Sequence, residues 1–252
     1  MNNETFGVSC EIALCKLYKS KTIPNEERGN AEYVKNLIPE FKNLFDKFKT
    51  KINFEALEYT GEAQNKVDFK DNNNKTYSLK SNLKKSTKVC PQVIGQCTRD
   101  VFRDKVYSKI LKKEDPDYFL ENKTIKEFIL KHPKKLFSIY LENLFCCDYV
   151  LYVKQLKPNK YDMDIIDVKN IKFNEVKQKI ESDNFIFTKN IDTWNESATM
   201  KVEYKINDNI IDDKKIVLSI GEYQIHNNRN CIKFRFDLKN LLKYLQDKKL
   251  FI

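Results

Sequence analysis

The spacing of apolar residues changes period along this chain, and the changes mark its elements. Residues 4 to 19 carry Phe6, Ile12, Ala13, Leu14 and Leu17 at helical spacing, which predicts an amphipathic first helix. Gly7 and Glu11, four residues apart, share one of its faces. Residues 29 to 49 repeat the pattern with Tyr33, Val34, Leu37, Ile38, Phe41, Leu44 and Phe45, a second helix that Pro39 can bend. The period then drops to two. Phe54 to Tyr59 predicts a strand, and Lys66–Lys70 and Thr76–Asn82 predict two more, joined as a β-hairpin by the turn Asp71–Lys75. A polar, basic loop, Ser81 to Lys88, follows.

Pro91 suits the first turn of a helix and predicts one from Pro91 to Tyr107. Two more helices are expected around 124–130 and 133–145, strands at 148–154 and 161–168, and a short helix near 173–180. The remainder reads as strands at 200–206, 215–225 and 231–237, closed by a helix at 238–245. A helix-rich half therefore passes into a β-rich one near residue 155, either as a boundary between two domains or as a shift within one. The fold class expected is α/β in the α+β sense, a mixed sheet flanked by helices.

The hairpin carries the chemistry. Strand side chains alternate, so Lys66, Asp68 and Lys70 point one way and Val67 and Phe69 the other. On the second strand Ser78 and Lys80 share a face, opposite Tyr77 and Leu79. One polar face can thus gather a carboxylate, a hydroxyl and an ammonium. Metal-assisted phosphodiester hydrolysis needs a carboxylate for a divalent cation and a lysine beside the attacking water.

Charge adds a partner to that picture. The 46 Lys and Arg outnumber the 36 Asp and Glu, for a net charge of +10 over 252 residues, which favours a polyanion such as nucleic acid. The chain is also rich in Lys, Asn and Ile, so some of that charge reflects composition alone. Seven cysteines without a C-x-x-C pair give neither a zinc-site spacing nor a disulfide framework, and are expected as reduced thiols. With only His132 and His226, a Ser/His/Asp or Cys/His apparatus has little material. No apolar run reaches the length of a membrane span and the first residues lack a basic-then-apolar leader, so a cytoplasmic protein with no membrane partner is expected.

Three segments, VDFKDNNNKTYSLKSNLKKSTKV, PQVIGQCTRDVF and GEYQIHNNRNCIKFRFDL, resemble the type II restriction endonucleases of the PD-(D/E)xK superfamily, with the MspI-like enzymes as the nearest group. The resemblance implies a restriction-endonuclease-like fold. It also implies that residues 1–155 form a catalytic core and 156–252 a β-rich DNA-reading part. The superfamily sets its first acid on one strand and its (D/E)-x-K pair on the next, which here match Asp68 and Ser78-Leu79-Lys80. Ser78 departs from the usual acid, although the MspI-like group carries Asn or Gln there. That departure leaves the number of metal ions open and lets Glu11 or Glu62 complete the site; Glu11 matches the first-helix glutamate of many related nucleases. On this reading Mg²⁺ sits on Asp68, the Leu79 carbonyl and waters, and Lys80 orients the attacking water.

Sequence reading needs groups that reach base edges. Gln224, His226, Asn227, Asn228 and Arg229 crowd one turn between strands, and Trp194, Ser197, Thr199 and Lys201 lie in and after a polar loop. Lys84, Lys85 and Lys88 are candidate phosphate contacts, and Ser81, Asn82 and Gln96 further candidate DNA contacts. The expected partner is double-stranded DNA, bound by a monomer or a homodimer, with a cognate DNA methyltransferase encoded separately. Two alternatives stay open: a DNA- or RNA-binding protein without catalysis, and a repair or nicking nuclease on the same fold.

Overall fold

The computed structural model describes residues 2–48, 52, 55–61, 65–83, 86–111, 121–182, 185–195, 198–205, 217–226 and 229–251. In chain order the helices are α1 (Asn3–Tyr18), α2 (Ala31–Lys47), α3 (Arg99–Phe102), α4 (Ser108–Leu111), α5 (Asn122–Lys131), α6 (Pro133–Leu144), α7 (Phe173–Ser182) and α8 (Leu238–Asp247). The strands are β1 (Leu57–Tyr59), β2 (Phe69–Asp71), β3 (Thr76–Leu83), β4 (Lys88–Val89), β5 (Gln96–Cys97) and β6 (Tyr149–Lys157). They continue with β7 (Lys160–Asp167), β8 (Phe185–Phe187), β9 (Thr199–Lys205), β10 (Val217–Ile225) and β11 (Ile232–Asp237). No described helix is long and apolar enough to cross a membrane.

The chain divides into two compact units, each built from two stretches: Met1–Thr87 with Phe145–Lys169, and Lys88–Leu144 with Asn170–Ile252. Residue 155, where the composition shifts, lies inside β6 of the first unit. The first unit holds a five-stranded sheet in the order β1-β2-β3-β6-β7, in which β3 and β6 run parallel and the other pairs antiparallel. It is a mixed sheet flanked by helices, as the alternation of periods predicts. The second unit carries an antiparallel sheet in the order β4-β11-β10-β9-β8, with β5 also paired to β11.

The first unit's core explains why its hairpin sits where it does. Phe6, Ile12 and Leu14 of α1 and Leu37 and Phe41 of α2 join Phe69, Tyr77, Leu151 and Val153 of the sheet in one buried cluster. Asn2 caps α1 by accepting the Thr5 amide, and Asn30 caps α2 by accepting the Tyr33 amide. In the hairpin turn the Asp71 carboxylate accepts the amides of Asn73 and Lys75, both at 2.8 Å, and the Tyr77 hydroxyl at 2.7 Å. Asn74 takes φ 62°, a left-handed value that Asn tolerates. Asp148 then fixes β6 beside β3 by accepting the Thr76 amide and hydroxyl at 2.9 and 2.8 Å.

Three expectations change. The polar run after Lys80 continues as strand to Leu83, because β6 pairs it residue for residue through Leu83↔Gln155. The helix expected from Pro91 starts instead at Arg99, where the Thr98 hydroxyl caps it. Between them Gly95 donates back to the Pro91 carbonyl, and a Cβ on Gly95 would stand 2.4 Å from that oxygen, so this stretch is a tight turn. Gln96 and Cys97 then join β11. Strand β8 carries no alternation that announced it. All seven cysteines are free thiols.

Candidate active site

The site grows from the register of β2 and β3. Phe69 pairs with Tyr77 and Lys70 with Thr76, so Asp68, one residue before β2, faces Ser78. The Asp68 amide donates to the Tyr77 carbonyl at 2.9 Å, and its own carbonyl accepts the Thr60 amide at 2.8 Å. Its Oδ2 accepts the Leu79 amide at 2.7 Å and the Ser78 hydroxyl at 3.1 Å. The carboxylate is therefore held by the strand that carries Ser78 and Lys80. Ser78 is buried with its hydroxyl on Asp68, a buttress to the acid.

On the hairpin's polar face Lys66 and Lys70 are exposed, but the residues that carry the chemistry are buried. Asp68 is 7% exposed and Lys80 6%. On the opposite, apolar face α1 packs closely against β3: a Cβ at Gly7 would lie 3.1 Å from the Ser81 hydroxyl. One turn further along α1, Glu11 comes within electrostatic reach of Asp68 and Lys80. Burial, and then the Asp68 charge, push the Glu11 carboxyl up to about 8, while Lys80, Arg28 and the Tyr59 hydroxyl act in the opposite direction. The Tyr59 hydroxyl also lies 2.8 Å from the Gly61 carbonyl. Tyr59 is a member of this site that alternation alone could not single out. Glu62 lies outside the described residues.

Buried Asp68 and partly exposed Glu11, each disfavouring the other's charge, stand near the Lys80 ammonium and offer hard oxygen donors. That donor set fits Mg²⁺, which takes one or two carboxylates and keeps several waters. Among the described residues no cage of three or more His, Cys, Asp or Glu side chains gathers, so waters or a substrate oxygen would fill the remaining positions.

The residues singled out for DNA divide into several groups. Asn82 is 1% exposed and accepts the Tyr152 hydroxyl at 2.8 Å, so its amide belongs to the interior of the first unit. Trp194 is likewise 1% exposed, with its indole donating to the Ala198 carbonyl at 2.9 Å; it is a core residue, and a DNA contact there is corrected. Lys88 is half-exposed and paired with Glu222. Gln96, Lys201 and Arg229 are exposed, and Thr199, Gln224 and His226 partly so. Ser81 is partly buried beside Gly7. Lys84, Lys85, Ser197, Asn227 and Asn228 lie outside the described residues.

Comparison with known proteins adds an independent line. No family model and no solved structure matches this chain. Its sequence is 29% identical over 244 residues to the type II restriction enzyme CviAII of Paramecium bursaria Chlorella virus 1. The match covers 97% of this chain but 61% of that enzyme, so the chain spans about three fifths of its relative's length. A mixed sheet that buries an acid and a lysine, within electrostatic reach of a second acid on the first helix, thus belongs to a chain similar, over nearly all its length, to a type II restriction enzyme.

Proposed function

We propose that this chain is a type II restriction endonuclease of the PD-(D/E)xK kind, making Mg²⁺-dependent double-strand cuts at a specific DNA sequence. The observation that carries the reading is the convergence of buried Asp68 and Lys80 with partly exposed Glu11. The similarity to a restriction enzyme supports it. Asp68, Glu11 and the Leu79 carbonyl would hold the cation, with Ser78 keeping Asp68 in place. Mg²⁺ bound there supplies Lewis-acid polarisation of the scissile phosphate and a more acidic water. Lys80 orients that water for attack and offsets the charge that builds on the phosphoryl oxygens. The burial of Asp68 and Lys80 strengthens these interactions.

Exposed Gln96, Lys201 and Arg229, with Thr199, Gln224 and His226, are the candidate DNA contacts. Binding as a homodimer and a separately encoded methyltransferase that protects host sites belong to the same reading. The test is digestion of plasmid DNA with Mg²⁺, with and without excess EDTA, followed by sequencing of the fragment ends. Discrete fragments that share one end sequence and vanish with EDTA are expected. DNA that is bound but left intact would instead identify a non-catalytic binding protein.

Ser78→Ala should be mild. It removes one of two hydrogen bonds that the Asp68 carboxylate receives through Oδ2, while the Leu79 amide stays at 2.7 Å. A hydrogen bond to a charged group is worth about 1.5–3 kcal/mol, so single-turnover cleavage should slow by roughly 10- to 150-fold. Unchanged cleavage would remove Ser78 from the site.

A further inference from the structure

The sheet of the second unit has two faces of opposite character. Met200, Val202, Ile232, Phe234 and Phe236 point inward and are buried. Phe236 and Phe234 meet Phe137 and Tyr140 of α6, with ring centroids 5.4 and 4.2 Å apart. The residues that alternate with them form the outer face. Register places them in two rows, Lys201–Glu222–Arg235 across β9, β10 and β11, and Thr199–Gln224–Lys233–Gln96 across β9, β10, β11 and β5. A cavity of about 190 Å³ opens on this face, with Lys88, Lys201, Glu222 and Arg235 among its walls.

Glu222 is the centre of the arrangement. It is 4% exposed, and its carboxylate accepts from Lys88 Nζ and from Arg235 Nη2. A well-packed apolar pair would join these strands as firmly as a buried ion pair, so the ion pair is not needed for stability. What it achieves is to fix the guanidinium. Arg235 Nε is buried with no acceptor, and Nη1 and the second Nη2 hydrogen have none among the described residues. The N–H groups of a guanidinium that Glu222 does not engage can donate to O6 and N7 of guanine, as a lysine ammonium cannot do in one fixed plane. A buried carboxylate in the same patch repels a phosphate but tolerates a neutral base edge. The neighbouring row supplies neutral amides and a hydroxyl in Gln224, Gln96 and Thr199, the groups that pair with adenine and other base edges.

We propose that this outer face reads the DNA sequence, with Arg235, oriented by Glu222, contacting a guanine and Gln224 beside it contacting a neighbouring base. The assignment rests on the DNA-cleaving reading for its ligand, and it is tested by binding alone. The full chain, with Ca²⁺ in place of Mg²⁺, is used to select from a random-sequence DNA duplex library, and the retained duplexes are sequenced. Wild type should enrich one motif containing a G·C pair. Arg235→Lys keeps the ion pair with Glu222 but lacks the planar guanidinium, and should lose preference at that one pair by roughly 10- to 100-fold. Other positions should hold.

Glu222→Gln, close in shape, frees the guanidinium and should broaden the preference at the same pair, which serves if the lysine variant folds poorly. A wild-type selection with no motif overturns the proposal, as does an unchanged motif in a folded variant of either kind. A wild-type protein that selects a motif yet cuts no DNA with Mg²⁺ would overturn the nuclease reading and leave the reading face standing.

Discussion

Asp68→Ala protein is expected to bind its cognate DNA and to leave it uncut, with single-turnover cleavage slowed at least about a thousandfold, roughly 4 kcal/mol of transition-state stabilisation. Asp68 is 7% exposed, faces Ser78, and shares its pocket with Glu11 and Lys80. Removing its carboxylate takes away the anchor of the proposed cation. The same change leaves the Leu79 amide and Ser78 hydroxyl without the oxygen they share, which also costs stability. Asp68→Asn is therefore the companion variant, because its amide oxygen can still accept from both. Lys80→Ala should be equally inactive, since Lys80 is the ammonium on the strand that carries Ser78. Gel-shift binding beside timed cleavage separates the roles. Either position retaining a rate within tenfold of wild type would refute the assignment.

Much of this site was legible because its signals are local. The Asn/Asp turn and the alternation on either side fix which residues face one another, and Asp68 opposite Ser78 follows from them. Glu11 was reachable only through the family resemblance, since no spacing rule links a helix to a strand beyond it in sequence. Tyr59 was missed for the same reason. Burial leaves no local mark here, because a strand reading Ser-Leu-Lys-Ser-Asn alternates polar side chains whether or not another element covers them. Yet Asp68, Ser78 and Lys80 are all buried.

The return of Phe145–Lys169 to the first unit also left no local mark. It depends on the parallel pairing of β6 with β3, a contact between distant stretches that composition cannot show. In the second unit, Asn and Arg cluster in sequence at the polar turn holding Arg229, a local signal. Glu222 and Arg235 stand 13 residues apart and become neighbours only once β10 and β11 pair in register.

Trp194→Ala should destabilise the protein by about 3–5 kcal/mol, the usual cost of emptying a buried aromatic site. Trp194 lies in a polar stretch, Thr193-Trp194-Asn195, which suggests an aromatic offered to DNA. The fold turns it inward instead. Its indole donates to the Ala198 carbonyl, its ring centroid lies 6.3 Å from that of Tyr223, and Lys126 Nζ stands 5.5 Å above it. That ammonium, itself buried, also donates to the Trp194 carbonyl at 2.7 Å. Truncation would leave a cavity and remove the ring over which a buried cation sits, so the loss should fall toward the upper end. Trp194→Phe, which keeps part of the volume but not the indole N–H, should cost less. Denaturant unfolding followed by far-UV circular dichroism measures both variants. Since Trp194 is the one tryptophan in the chain, wild-type fluorescence gives a second check: emission should be blue-shifted and poorly quenched by iodide. A variant as stable as wild type that binds DNA more weakly would return Trp194 to the DNA surface.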